Sequence, residues 1–99
     1  MRLLITEPAK VRLRNIHDYY KELVSPRIAD RIKQGIIANL KTLRNNPFIG
    51  QKEELLEHLN LEHRRIVTGN YKIIYRIEGD TIIITDIFDA RQNPEEMFG

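Results

Sequence analysis

The sequence predicts an α+β domain: an N-terminal strand, a helical hairpin, then a three-stranded antiparallel meander, with the helices packed on one face of a curved sheet. Three observations carry this. Two apolar stripes at helical spacing run from Ala9 to Leu23 and from Ile28 to Leu43, parted by Ser25-Pro26. Three runs rich in Ile, Val, Thr and Tyr then fill residues 62 to 89. Gly69-Asn70 and Glu78-Gly79-Asp80 stand between those runs as tight-turn signals.

Arg2-Leu3-Leu4-Ile5-Thr6 is a short strand that ends as Pro8 approaches. Proline suits a first helical turn, so Thr6 or Glu7 caps a helix starting there. Ala9, Leu13, Ile16, Tyr20 and Leu23 form its apolar stripe. Tyr20 is expected in the core and Tyr19 at its rim. Ser25 is the next N-cap, with Pro26 in the first helical position. Ile28, Ala29, Ile32, Ile36, Leu40 and Leu43 form the second stripe. Gly35 inside it costs about 1 kcal/mol relative to alanine. Close packing against the first helix or the sheet is expected to explain it. Asn45-Asn46-Pro47 ends the helix.

Phe48-Ile49-Gly50-Gln51 is expected as a loop with an apolar anchor. Residues 52–59 support one or two helical turns or a path along the sheet edge. In the middle strand of the meander Tyr71, Ile73, Tyr75 and Ile77 share one face, and Lys72, Ile74 and Arg76 the other. The first face is core. The last strand is apolar on both faces through Ile82, Ile83, Ile84 and Ile87, so cover on both sides or a central place is expected. Gly69 comes first in its two-residue turn, which suits a type II′ hairpin. Asn93-Pro94-Glu95-Glu96 resembles a helix start. The other sheet face is expected to be partly open and to carry Arg65, Lys72 and Arg76.

The 99 residues are expected to form a single domain, 1–99, of which 41% are hydrophobic. No cysteine is present, which excludes disulfides and thiolate metal sites. His17, His58 and His63 have no metal-ligand spacing, and neither a phosphate loop nor a Ser-His-Asp set stands out, so no metal or cofactor is expected. No run resembles a signal peptide or a membrane span, so no membrane partner is expected and the cytoplasm is the expected location. Residues 1–50 carry 10 Lys+Arg against 4 Asp+Glu, and residues 51–99 carry 6 against 10, giving halves of +6 and −4. The basic half can meet an acidic partner or remain a solvated helix surface. The acidic residues Glu53, Glu54, Glu57 and Glu62 are expected on a solvated face.

Several segments together resemble the RelE/ParE toxin superfamily of bacterial type II toxin–antitoxin systems. They are the helical hairpin, Asn46-Pro47-x-x-Gly50, Arg64-Arg65-Ile66, Gly69-Asn70-Tyr71-Lys72-Ile73-Ile74-Tyr75-Arg76 and Ile87-Phe88-Asp89-Ala90-Arg91-Gln92-Asn93-Pro94. The resemblance covers almost the whole chain. It implies a growth-inhibiting toxin of plasmid-stabilisation type, held inactive by a cognate antitoxin that binds operator DNA, so that the toxin meets that DNA only indirectly. The superfamily has two target classes. ParE-like members poison DNA gyrase; RelE-like members cut ribosome-bound mRNA without metal.

Metal-free RNA cleavage needs a general base, a general acid and cations for the charge that develops on phosphorus. By the resemblance Arg65 matches the strand arginine of the nucleases, Arg91 the arginine after the last strand, and Lys52 falls in the region of their basic residues. Arg65 and Arg91 alone could hold phosphate, or could pair with Asp86, Asp89 or Glu62 across strands. No tyrosine follows Arg91, and Phe98 cannot donate a proton. His63 has acid–base chemistry but stands beside Arg64 and is expected to be structural or solvated. The ending Asp89-Ala90-Arg91-Gln92-Asn93-Pro94 is closer to ParE-like endings. The resemblance therefore implies a gyrase inhibitor that is not an enzyme, with a metal-independent endoribonuclease using Arg65, Arg91 and Lys52 as the alternative.

Overall fold

The computed structural model describes residues 1–90. Arg91, Phe98 and the expected helix start at Asn93-Pro94 lie outside them. The elements run β1 (Arg2–Ile5), α1 (Glu7–Leu23), α2 (Pro26–Asn45), β2 (Gln51–Lys52), a 3-10 segment (Glu54–Leu59), β3 (Arg64–Thr68), β4 (Tyr71–Glu78) and β5 (Thr81–Asp89). The strands form one mixed sheet in the order β1-β5-β4-β3-β2. β1 is parallel to β5 and every other pair is antiparallel. The fold is the expected α+β arrangement with one addition, the two-residue strand β2 on the outer edge of β3.

Both helices start on the caps their sequences supply. Thr6 Oγ1 accepts from the Ala9 amide, and Ser25 Oγ from the Ile28 amide at 3.1 Å. Thr6 also ties α1 to the sheet, since its amide and its hydroxyl both donate to the Ile84 carbonyl. The hairpin packs Ala9, Ile36, Leu40 and Leu43 onto Tyr71, Ile73, Tyr75, Ile82, Ile84 and Ile87. This is the core predicted from the strand periodicity. Leu23, expected in the first stripe, is 67% exposed at the hairpin tip. Gly35 is exposed, and a Cβ there would meet nothing within 4 Å, so close packing is not its explanation.

The turns follow the glycines. Gly69 and Gly79 take φ of 59° and 61°. β5 departs from simple alternation. Tyr75 faces Ile84 but Ile74 faces Asp86, so Thr85 bulges out of the ladder. The bulge shifts the side-chain parity by one. Ile82 and Ile84 before it, and Ile87 after it, thereby share the helix-facing side. On the far side Phe88 and Ile74 pack with Leu56 of the 3-10 segment. The strand that is apolar on both faces is therefore covered on both. The far face expected to be partly open is roofed at this point.

Candidate functional site

Two zones collect the chain's distinctive side chains. The first is the far face beside β2. Antiparallel pairing sets Gln51 opposite Arg65 and Lys52 opposite Arg64. Arg65 Nη1 donates to the Lys52 carbonyl, and Nη2 donates to Gln51 Oε1 at 3.2 Å. The Lys52 side chain turns away and lies 3.5 Å from Glu57. The structure thus brings Arg65 against the backbone of Lys52, while Arg91 lies outside the described residues.

Glu53 is the residue the acidic run concealed. It is 2% exposed, not solvated. One carboxylate oxygen caps the Leu55 amide at 3.2 Å. The other faces Arg65 Nη1 at 3.7 Å and Lys72 Nζ at 3.6 Å. Arg76 pairs with Glu78 at 2.6 Å. The three cations expected on the open face are present there, and each has a carboxylate beside it. Arg65 thus pairs with Glu53, not with Asp86, Asp89 or Glu62. Asp86 is fully buried and lies 3.5 Å from Arg12 Nε of α1. β1 covers β5 only from Thr81 to Ile84, which leaves the rest of that edge to α1. His63 is buried just before β3, and its carbonyl accepts from the Glu53 amide at 2.7 Å.

The second zone is the loop after α2. Tyr75 is fully buried in β4. Its hydroxyl accepts from the Gly50 amide and donates to the Pro47 carbonyl, both at 2.9 Å. Burial raises the pKa of this hydroxyl above 10.0, against smaller opposing effects of the Gly50 bond and the Arg64 charge. Arg64 donates to the Gly50 carbonyl at 2.9 Å and lies 5.2 Å from the Phe48 ring centre. The loop is therefore bolted down by Tyr75 and Arg64. Its apolar residues are not the anchor, since Phe48 and Ile49 are 68% and 58% exposed.

Among the described residues no group of His, Asp and Glu could hold a metal ion. No helix among them is long and apolar enough to cross a membrane.

The family model described as "ParE toxin of type II toxin-antitoxin system, parDE" matches residues 3–94. This chain belongs to the ParE toxin family. A ParE-family assignment also agrees with the fold. A chain of the chromosomal ParDE TA system from P. aeruginosa superposes with a TM-score of 0.75 at 26% identity, over 90% of this chain and 95% of that one. No curated protein matches the sequence. As a ParE-family toxin of a parDE system, the chain has an antitoxin partner implied by its family.

Sequence reasoning missed Glu53 and the loop bolt. A lone buried glutamate inside an acidic run carries no periodic signal. The bolt joins Pro47 and Gly50 to a strand residue that pattern alone assigned to the core. A buried tyrosine's need for a hydrogen-bond partner was the available clue.

Proposed function

We propose that this ParE-family toxin arrests bacterial growth by inhibiting DNA gyrase, and that its cognate antitoxin neutralises it. On this reading it works in the cytoplasm as one domain, is not an enzyme, and meets operator DNA only through the antitoxin. The observation that supports inhibition over RNA cleavage is the state of the far-face cations. Arg65 and Lys72 flank the buried Glu53, and Lys52 lies beside Glu57. A phosphodiester placed there would meet carboxylates along with the cations, which weakens the field a phosphorane needs.

The test is induction of the chain alone in bacteria, followed by an SOS reporter, pulse-labelled protein synthesis and primer extension on transcripts. Purified chain is added in parallel to a gyrase supercoiling assay. An SOS response with intact transcripts and inhibited supercoiling is expected. Early translation arrest with cut messages, lost in a folded Arg65→Ala or Arg91→Ala variant, would overturn the proposal in favour of the ribonuclease.

A further inference from the structure

Residues 41–52 carry Lys41, Arg44 and Lys52 and no acidic residue. Among the described residues Lys41, Arg44 and Arg64 take part in no salt bridge, whereas the far-face cations do. Between Arg44 and Arg64 in the sequence stand Phe48 and Ile49, exposed on a loop that Tyr75 and Arg64 hold by hydrogen bonds. Two large apolar side chains kept in water on a fixed backbone contribute little to the chain's own core. They have what an anchor needs: exposed apolar side chains, a backbone already held in place, and cations nearby in the sequence.

Building on the reading of the chain as a gyrase inhibitor, we infer that the Pro47–Gly50 loop is the prong that contacts the target. Its occupant is a folded protein surface with an apolar socket rimmed by Asp and Glu. The charge follows from Lys41, Arg44 and Arg64, which form no salt bridge among the described residues and would be complemented by acids. The folded partner follows from how little the loop offers, two exposed apolar side chains on a short stretch held by hydrogen bonds. A segment that folds on binding lies in a groove, whereas a two-residue prong is buried only by a socket already formed. Phe48 is the anchor, with one ring face already under Arg64. Ile49 fills beside it.

The experiment compares the wild type, Phe48→Ala/Ile49→Ala, Arg44→Glu and a control, Leu23→Ala, which removes an equally exposed apolar side chain at the hairpin tip. Each is scored for thermal unfolding, gyrase inhibition and growth arrest on induction. The double variant is expected to keep its melting temperature and to lose about 30-fold or more in inhibitory potency, the scale of a hot-spot residue. Arg44→Glu is expected to weaken inhibition most at low salt, and Leu23→Ala to behave as wild type. Undiminished arrest by a folded double variant would overturn the prong. If the wild type arrests growth without inhibiting gyrase, the gyrase reading fails alone, and arrest by the double variant still decides the prong. If the double variant unfolds, Phe48→Ser and Ile49→Ser are scored singly, and full arrest by both overturns the inference. A wild type without any effect on growth overturns both.

Discussion

The hydroxyl of Tyr75 takes the place that a Cβ would need at Gly50. That glycine is buried, and an added methyl would meet the Tyr75 hydroxyl and, at 2.7 Å, the Arg65 carbonyl oxygen. One phenol and one absent side chain thus define a loop that sequence pattern alone leaves unstructured.

Tyr75→Phe deletes two hydrogen bonds and strands the Gly50 amide in a buried place. A loss of about 1–3 kcal/mol is expected, read as a lower urea midpoint at unchanged slope. Gly50→Ala is expected to lose at least as much, because one of its obstacles is backbone.

The same residue makes stability depend on alkaline pH. Its folded-state pKa is raised by burial, so below about pH 10, the ordinary tyrosine value, its contribution is fully present. Above that the unfolded chain gives up the proton first, and the contribution falls as pH rises toward the folded value. The stability gap between wild type and Tyr75→Phe should be flat up to pH 10 and shrink beyond it. A gap that widened above pH 10 would refute this sign.

Glu53→Gln retains an acceptor for the Leu55 amide and removes the charge facing Arg65 and Lys72. Those two side chains remain partly open to water, which moderates the loss. About 1–3 kcal/mol is expected, smaller at high salt. Urea unfolding at two ionic strengths checks it.

Gly35→Ala should stabilise the protein. The position is exposed, helical and free of neighbours, so the substitution removes backbone entropy from the unfolded chain without a clash. A gain of about 0.5–1 kcal/mol is expected in chemical denaturation, and a loss would show that the glycine has a structural role.

Asp30→Ala removes the partner of His17, whose Nε2 lies 2.7 Å from the carboxylate across the helical hairpin. With Asp30 largely in solvent the expected cost is about 0.2–1 kcal/mol. A double-mutant cycle with His17→Ala measures it.

Much of this architecture was legible because periodicity reports which side of an element is buried. The stripes from Ala9 to Tyr20 and from Ile28 to Leu43, and the alternation from Tyr71 to Ile77, each mark a buried face found in the fold. What escaped depends on single residues acting at a distance. The Thr85 bulge turns one strand into two halves of opposite parity, and a string of isoleucines hides the step. Glu53 and Phe48 reversed the expectations for their classes, the acid going inside and the aromatic outside. The first has tertiary partners in Arg65 and Lys72, and the second belongs to a loop whose backbone is held by Tyr75 and Arg64. Arg65 and Lys52 were named only through the resemblance, and neither periodicity nor spacing showed the carboxylates, Glu53 and Glu57, that lie beside them.

The parallel pairing of β1 with β5 sets a clock on synthesis. Thr6 is tied to Ile84, 78 residues later, so the first strand has no neighbour until the last one exists. At bacterial-scale elongation rates that interval is on the order of ten seconds. The helical hairpin emerges early, but the sheet that buries its apolar stripes comes from the final third of the chain. A nascent chain stopped before Thr81 is expected to remain unfolded and protease-sensitive. The helical hairpin is thereby left without its sheet until β5 has been made, and any surface that spans hairpin and sheet first forms at that moment.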